Sequence, residues 1–293
     1  IIIGPVFNES TKYLDELENV FFISLTNKIK NKPSNIISAG VNAISQINTI
    51  KKFIAYEKLE RPIFLIPETH FKSEIEFAIK KTKIKVKEKF IYDQEPTLIT
   101  KQISRLTRYE QRKQNLENEI KKLENSNLLD KEKRISKLKK KDTLGFINFD
   151  SVIIADFDET LKSVTTSLLY TDVSSKRITY ITFNQWFDKS LLNDKSLQPI
   201  YFPSVNKDNY DLFFKNYVNK FNSKPNQLSF LSYDIFGLVY YLLYKNNFKL
   251  DKKMFYKENK FKGLIGIFEI DKNVITHQLN LYGVIDGKFK KIF

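Results

Sequence analysis

Two aspartates separated by one residue, Asp156 and Asp158, directly follow the apolar run Val152–Ala155. Carboxylates at the end of a buried strand can bind Mg²⁺, and such a group can act as a nucleophile or as a general acid or base. The same spacing also suits the start of a helix, with Asp158 or Thr160 as the N-cap and Glu159 favoured by the helix dipole. A motif this short recurs by chance, so we prefer the helix interpretation and keep the catalytic one as an alternative.

The segment Asp156–Leu161 resembles the first motif of haloacid dehalogenase-like phosphatases. The resemblance implies a magnesium-dependent phosphatase in which Asp156 is the nucleophile and Asp158 is the general acid/base. That superfamily also uses a downstream lysine and a pair of acids at a later strand end. The strands that follow here end in Thr182–Asn184 and Pro203–Ser204, and neither segment contains a carboxylate. A magnesium-dependent phosphatase is therefore the lesser alternative.

Composition excludes several other kinds of catalytic or metal site. The 293 residues contain no cysteine, which rules out disulfides, thiol catalysis and cysteine-bound zinc. His70 and His277 are the only histidines, so a histidine-rich metal site is not expected. The glycine patterns of dinucleotide-binding loops, phosphate-binding loops and serine hydrolases are absent. We predict a protein that is not an enzyme and that has no cofactor and no bound metal.

Strand-like and helix-like segments alternate along most of the chain. Short apolar runs such as Ile63–Ile66 and Phe149–Ala155 predict buried strands, and Ala43–Ile54 has the apolar spacing of a helix. Strands separated by helices of this length predict βαβ units and parallel sheets. A chain of 293 residues exceeds the typical domain length of about 100–200 residues, so we predict an α/β protein with two lobes.

Polar and aromatic residues follow the predicted strands at the points where these strands end. In doubly wound sheets, ligands bind outside the carboxyl ends of the strands. Hydroxyl groups and free helix N-termini at this edge can hold a carboxylate or another anion without catalysis. We therefore predict a ligand-binding cleft without catalytic residues. Its predicted lining is Asn8, Ser10, Thr11, Ser24 and Thr26 from one lobe and His70, Phe157 and Trp186 from the other, although Trp186 suits a core position equally well.

Residues 101–141 form the most basic part of the chain. They contain fourteen Lys/Arg and six Asp/Glu, an excess of eight within a total net charge of +15. Apolar residues recur here at three- and four-residue spacing, and Asn125-Ser126-Asn127 interrupts them, which predicts a charged helical hairpin. Tyr109 is the only aromatic residue of the stretch, and this argues against nucleic acid, whose bases stack on aromatic rings. The hairpin is interpreted as a solvated insertion or as a docking arm for a protein partner, with anionic lipid as a further alternative.

Six short motifs resemble, in order along the chain, those of type 1 periplasmic binding proteins. They are Ile2–Phe7, Phe22–Thr26, Ser38–Asn42 with Gln46, Phe149–Val152, Ser232–Asp234 and Phe261–Phe268. The resemblance implies an α/β fold of two Rossmann-like lobes, with parallel sheets flanked by helices and the charged hairpin as an insertion. The implied limits are 1–58 and 204–250 for lobe 1, 61–203 and 251–293 for lobe 2, 101–141 for the insertion, and 57–61 and 203–206 for the hinges.

Two branches of that superfamily are compatible with the motifs. Arg105–Glu110 opens the charged insertion, and Thr182–Trp186 resembles a Gly-Thr-x-x-Trp segment, as in the penicillin-binding protein activator family. Similarity to that family implies a non-catalytic module of the bacterial envelope that supports peptidoglycan synthesis and contacts a penicillin-binding protein. The alternative is the substrate-binding component of an amino-acid ABC transporter, and such proteins often have Tyr-Gly where this chain has His70-Phe71. Either branch implies a small amino-acid-like or peptide ligand.

The sequence begins with an apolar, strand-like segment, Ile1–Ile3, followed by the turn Gly4-Pro5. The resemblance places further strands of lobe 1 before this motif. We therefore expect that lobe 1 is truncated at its N-terminal side and that a targeting segment precedes the sequence. The family implies a periplasmic location, with that segment as the membrane anchor of an outer-membrane lipoprotein.

Overall fold

The computed structural model describes residues 1–30, 32–257 and 260–293. In chain order the strands are β1 (Ile2–Ile3), β2 (Phe22–Ser24), β3 (Ile36–Ser38), β4 (Pro62–Pro67), β5 (Glu88–Tyr92), β6 (Ser151–Ile154), β7 (Thr179–Thr182), β8 (Ile200–Ser204), β9 (Lys260–Lys262), β10 (Ile267–Asp271), β11 (Val274–Gln278), β12 (Asn280–Ile285) and β13 (Lys288–Lys291). The helices are α1 (Ala43–Tyr56), α2 (Lys72–Thr82), α3 (Pro96–Leu106), α4 (Tyr109–Glu124), α5 (Lys131–Leu138), α6 (Asp158–Tyr170), α7 (Ser190–Asn193), α8 (Lys207–Phe221), α9 (Gln227–Lys245) and α10 (Met254–Lys257). Within the described residues, no helix combines the length and the apolar character that a membrane crossing requires.

The strands form two separate sheets, and this confirms the predicted α/β architecture of two lobes. The first sheet has the order β1-β2-β3-β11-β10-β9, and the second has the order β13-β12-β8-β7-β6-β4-β5. Pairing is parallel from β1 to β11 in the first sheet and from β8 to β5 in the second. The remaining pairs at one edge of each sheet are antiparallel. The carboxyl ends of the parallel strands are therefore available to carry a ligand site in each lobe.

The chain passes three times between the sheets, after β3, after β8 and after β11. α1 packs on the second sheet, because its Ile47, Ile50 and Phe53 share a buried cluster with Phe64 of β4 and Ile75 of α2. The first passage therefore lies in residues 39–42, ahead of the limit at residue 58 that the sequence predicted. The C-terminal segment, which was predicted to lie in lobe 2, is divided: β9, β10 and β11 join the first sheet, where β11 pairs with β3, and β12 and β13 join the second.

The first passage between the lobes is closely packed against the loop that follows β2. Gly40 donates its N–H to the Thr26 carbonyl at 3.0 Å, and a Cβ atom at Gly40 would lie 2.6 Å from that oxygen. Asn42 is the N-cap of α1, where its side chain accepts a hydrogen bond from Ser45 N–H at 3.0 Å. The amide of Asn42 also donates to the Ile275 carbonyl of β11 at 2.7 Å. The start of α1 is thus attached to the first sheet although α1 packs on the second.

Two of the motifs recognised in the sequence meet in the first lobe. The carboxylate of Asp234, on α9, accepts hydrogen bonds from the N–H groups of Leu264 and Ile265 at 2.7 and 2.8 Å. Burial raises the pKa of Asp234, and these two hydrogen bonds act in the opposite direction. A Cβ atom at Gly263 would lie only 2.2 Å from the Asp234 carboxylate, so only glycine fits there. The pairing attaches α9 to the turn between β9 and β10.

The predicted helical insertion contains three helices. α3 packs against α6 of the second lobe through buried Ile99 and Ile103, so α3 belongs to the lobe itself. α4 and α5 form the hairpin. The hairpin is attached at its base by Arg112, which is buried and donates to the Thr107 carbonyl at 3.0 Å, to Thr143 Oγ1 at 2.9 Å and to the Thr171 carbonyl. Burial lowers the pKa of the Arg112 guanidinium, and the charge of Asp172 opposes this effect.

Candidate functional site

The loops at the carboxyl ends of β2, β4 and β6 enclose a cleft between the two lobes. An outer cavity of 710 Å³ is lined by the segment that follows β1 and by the start of α2. An inner cavity of 310 Å³ lies between the loop after β2, the start of α1 and the ends of β4 and β6. Lys28, His70 and Glu74 line both cavities and therefore lie at the boundary between them.

Contacts between the lobes cross the cleft at this boundary. The Glu74 carboxylate, on α2 of the second lobe, accepts hydrogen bonds from Ile29 N–H and Lys30 N–H of the first lobe, each at 3.3 Å. The Lys28 ammonium lies 3.8 Å from the centre of the Phe71 ring, which is a cation–π contact. We call these five residues the interlobe latch. Burial lowers the pKa of Lys28, while the charge of Glu74 acts in the opposite direction.

The first-lobe wall of the outer cavity includes Asn8 and Thr11, two of the predicted ligand-binding residues. Lys32 donates its ammonium protons to Asn8 Oδ1 and, at 3.4 Å, to Thr11 Oγ1. The Thr11 hydroxyl donates to the Asn8 carbonyl at 2.6 Å. Burial lowers the pKa of Lys32. The Lys32 ammonium group, which contacts two residues of this wall, therefore already has internal acceptors.

Asp156 lies at the base of the inner cavity and is buried. Its carboxylate accepts hydrogen bonds from Tyr92 OH at 2.5 Å, from Gln94 Nε2 at 2.9 and 3.1 Å, and from Phe157 N–H at 3.0 Å. Burial raises the pKa of Tyr92 strongly, and the Asp156 charge adds to this. Both oxygens of the carboxylate thus accept hydrogen bonds from the protein itself, and the side chain forms part of the cavity wall.

The second aspartate of the motif has a different environment. Asp158 is exposed at the first position of α6. The N-cap of α6 is Phe157, which has no side-chain hydrogen bond to the helix, so the predicted capping by Asp158 or Thr160 is absent. Among residues 1–30, 32–257 and 260–293, no group of three acidic or histidine side chains is placed to hold a metal ion. The phosphatase interpretation therefore lacks the carboxylate ligands that a magnesium site needs.

The cleft contains some of the predicted ligand-binding residues and not others. Asn8, Thr11 and His70 line the outer cavity, and His70 and Phe157 line the inner one. Ser24 and Thr26 line neither cavity, because both are buried: the Ser24 hydroxyl donates to the Pro5 carbonyl at 2.7 Å, and Thr26 Oγ1 accepts from Lys28 N–H at 3.2 Å.

Ser10 and Trp186, the other predicted ligand-binding residues, also line neither cavity. Ser10 is exposed and lies in a short 3₁₀ turn, Glu9–Thr11. Trp186 packs on Tyr210 with a distance of 6.3 Å between ring centroids, which supports the core interpretation of this residue.

Several residues of the cleft were missed by sequence reasoning. Lys28, Phe71 and Glu74 contribute their side chains to the interlobe latch, yet nothing in their local sequence separates them from other surface residues. Gln46 lines the inner cavity and was present in a motif. Its side-chain carbonyl accepts a hydrogen bond from Asn184 N–H at 2.7 Å, which joins α1 to the segment after β7. The position of Gln46 in the family pattern was the one usable signal.

A further cavity of 640 Å³ lies on the first lobe, away from the cleft. It is bounded by α9 and by β9 and β10, with Tyr233, Gly237 and Phe261 in its wall. Its wall includes residues of two sequence motifs but none of the predicted ligand-binding residues, and the contacts between the lobes do not reach it. The interlobe cleft is therefore the candidate functional site.

No protein-family model matches the sequence, and no curated protein has a significantly similar sequence. Solved structures do match. Full-length LpoA from Haemophilus influenzae aligns with a TM-score of 0.62 at 12% identity over 99% of this chain, and this chain spans 47% of the length of that protein. The C-domain of the same protein, LpoA (YraM), a regulator of PBP1A, aligns with a TM-score of 0.61 at 11% identity over 99% of this chain and 81% of the domain.

A transport protein aligns comparably. An ABC transporter substrate-binding protein from Desulfitobacterium hafniense, in complex with Leu, has a TM-score of 0.59 at 12% identity over 99% of this chain and 79% of its own. The TM-scores show a shared fold, whereas identities of 11% and 12% leave the activity to be argued from the site. The chain has the two-lobed α/β fold of type 1 periplasmic binding proteins, as the order of its sequence motifs predicted.

Proposed function

We propose that this chain is a non-catalytic binding and regulatory module of the bacterial envelope that supports peptidoglycan synthesis through contact with a penicillin-binding protein. The observation that carries the proposal is the interlobe latch. In a solute receptor of this fold, closure is driven by contacts that the ligand makes to both lobes. Here the chain's own Lys28 and Glu74 supply such contacts across the cleft.

The surroundings of Asp156 support the non-catalytic part of the proposal. An attacking carboxylate needs a free oxygen directed at the substrate and, in phosphoryl chemistry, a cation beside it. The Asp156 oxygens are bound by Tyr92, Gln94 and the Phe157 N–H, and Asp158 is exposed at the start of α6. We therefore expect no hydrolysis of a generic phosphoester by the unmodified protein. The substitution Asp156→Asn should change only its thermal stability.

The proposed partner and location rest on fold similarity to the LpoA C-domain, described as a regulator of PBP1A. By that analogy the chain works in the periplasm and its output is contact with a peptidoglycan synthase. The +15 net charge adds a reason to expect long-range attraction to an acidic surface of such a partner.

The proposal is tested by presenting a purified penicillin-binding protein with synthase activity to the immobilised protein. We expect specific capture, together with faster consumption of the lipid-linked peptidoglycan precursor when the protein is added. Capture that is equally strong with an unrelated protein of similar basic charge, or a synthase rate that does not change, would contradict it.

The alternative function is the substrate-binding component of an amino-acid ABC transporter. The specific observation in its favour is the 310 Å³ inner cavity, which both lobes enclose, in a fold shared with a Leu-bound receptor. A ligand that binds the native state raises the melting temperature by mass action. A melting panel of amino acids and short peptides separates the two functions: a concentration-dependent rise with one ligand, without capture of a synthase, favours the transporter component.

A further inference from the structure

The hairpin of α4 and α5, together with residues 125–130 between them and 139–141 after them, is called here the basic hairpin. Its C-terminal half, residues 121–141, runs from the last turn of α4 through the tip and back along α5, and contains nine Lys/Arg and only three Asp/Glu. Among the ion pairs of the described residues, a single one, Arg134 to Asp130 at 2.8 Å, lies in this half. Most of its positive charge is thus not neutralised within the molecule and is available to an external anionic surface.

Two leucines lie at the tip of the basic hairpin. Leu128 and Leu129 are 45% and 108% exposed, so Leu129 projects fully into solvent. Asn125, Ser126 and Asn127 already supply the polar residues that a helix-ending turn requires. The turn itself does not need the adjacent apolar pair. An apolar pair at the end of a projection, with lysines on both sides, is the composition of a segment that lies in a membrane interface.

The base of the basic hairpin is well attached to the second lobe. Buried Arg112 makes three hydrogen bonds there, and Leu116 and Leu123 are buried along the seam of α4. The Leu144 N–H also donates to the Arg112 carbonyl at 2.9 Å. The attachment leaves the tip as the free end, so the exposed leucines are held at a distance from the body of the protein.

Other occupants fit this surface less well. The one aromatic residue of the stretch, Tyr109, packs on Tyr170 with 5.5 Å between ring centroids and is not free to stack on a base. Protein interfaces are depleted in lysine and have an apolar centre surrounded by other contacts, whereas here the apolar part is only the pair Leu128-Leu129 in a lysine-rich segment. Anionic phospholipid suits both features, because its headgroups attract lysines and its acyl boundary accepts leucine.

We propose that the tip of the basic hairpin docks on an anionic phospholipid bilayer, with Leu128 and Leu129 entering the interface and the flanking lysines contacting the lipid phosphates. This association is peripheral. It is independent of the cleft and of the proposed function, so it holds or fails without regard to either.

The first experiment uses the whole chain and sedimentation with vesicles. We expect binding to vesicles that contain phosphatidylglycerol, weak binding to pure phosphatidylcholine, and release by high salt. The double variant Leu128→Ser/Leu129→Ser should reduce affinity at least about tenfold without changing the melting temperature, because both side chains are already exposed. The matched control is Leu212→Ser, an exposed leucine on α8 of the other lobe, which should bind like the unmodified chain.

A charge series separates local docking from general basicity. Lys133→Glu and Lys137→Glu, both exposed on α5, should together weaken binding by more than about tenfold, since each lysine near an anionic membrane surface contributes about a fivefold effect. Lys215→Glu and Lys224→Glu, exposed in the first lobe, change the net charge equally and should have a much smaller effect. If both pairs weaken binding alike, or if the leucine variant binds normally, the proposal is wrong.

The absence of cysteine allows a direct test of insertion. A single Leu129→Cys variant, labelled with a polarity-sensitive dye, should shift its emission to the blue on phosphatidylglycerol vesicles. The same label at Leu212→Cys should not shift. No shift at position 129 on vesicles to which the protein sediments would overturn the insertion of the tip, and an absence of sedimentation at low salt would overturn the docking as a whole.

Discussion

At the scale of single residues, the cleft depends on groups that act across it. Glu74 is the clearest case, because one carboxylate accepts hydrogen bonds from two consecutive N–H groups of the opposite lobe. The Phe71 ring makes a cation–π contact with the ammonium group of Lys28 from the opposite lobe. Neither partnership is visible locally in the sequence, since more than forty positions separate Glu74 from Ile29 and Lys30. Local patterns predict which residues lie at a strand end, and they cannot predict which of them will meet.

Substitution Glu74→Ala should open the latch. The N–H groups of Ile29 and Lys30 lose their acceptor, so their hydrogen-exchange protection should fall about fivefold, and the free energy of unfolding should fall by about 1 kcal/mol. Exchange measured residue by residue checks this. The control is Glu76→Ala on the same helix, which should leave both amides protected. If the Ile29 and Lys30 amides exchange equally slowly in the Glu74 variant and in the unmodified protein, the hydrogen bonds to Glu74 do not hold the lobes together.

At the scale of elements, one residue has a central part in the passage between β3 and α1, and another in the basic hairpin. Gly40 lets the passage approach the loop after β2, and Arg112 attaches the hairpin. The sequence predicted the hairpin from its three- and four-residue apolar spacing, but that spacing gave no indication that Arg112 would be buried. Periodicity placed the helix correctly. It could not reveal that this charged side chain would find acceptors at Thr143 and Thr171, which are 31 and 59 positions away.

Two glycine substitutions should have opposite effects. Gly40→Ala places a Cβ atom 2.6 Å from a backbone oxygen that cannot move freely, and this should destabilise the protein by about 1–3 kcal/mol. Gly237→Ala, inside α9, meets no atom within 4 Å and should stabilise by up to about 1 kcal/mol through helix propensity. Urea unfolding of both variants checks the prediction, and equal effects would contradict the close approach at Gly40.

Removal of the Arg112 side chain should release the base of the basic hairpin. Arg112→Ala leaves the Thr107 and Thr171 carbonyls without their buried donor, so we expect a loss of about 3 kcal/mol and faster proteolysis within α4 and α5. Lys113→Ala, exposed and adjacent, is the control and should change stability by less than about 0.5 kcal/mol. Equal proteolysis of the two variants would show that the hairpin is held by other contacts.

At the scale of the whole molecule, the order of short motifs was sufficient to predict two α/β lobes with a cleft between them. The pairing of Asp234 with the turn at Gly263 shows why separated motifs occur together, since each needs the other. Membership of the C-terminal strands could not be predicted in this way. Whether a strand joins one sheet or the other depends on which edge is open, and β11 pairs with β3 more than 230 positions away.

The buried histidine between the lobes should make stability depend on pH. His277, on β11, contacts the Ala39 carbonyl at 2.9 Å, and burial lowers its pKa to about 4. The unfolded chain, with a histidine pKa of about 6.5, binds the proton more readily. The contribution of His277 to the free energy of unfolding is therefore complete above pH 6.5. It decreases as the pH drops from 6.5 towards 4, by up to about 3 kcal/mol.

Chemical denaturation over this pH range tests the assignment. His277→Gln should remove most of the decrease between pH 6.5 and 4, whereas His70→Gln, at the exposed mouth of the cleft, should retain it. A decrease that persists unchanged in the His277 variant would place its origin in other groups.

Between β11 and β12 the chain changes sheets through one residue, Leu279. The other two passages contain several residues over which the chain can change direction, but here a strand of one sheet is followed almost directly by a strand of the other. A connection of one residue allows the two sheets to rotate relative to each other but does not allow them to move apart. We therefore expect the two lobes to rotate relative to each other about Leu279. A small rotation there would produce a large displacement at the tip of the basic hairpin, which lies far from this hinge.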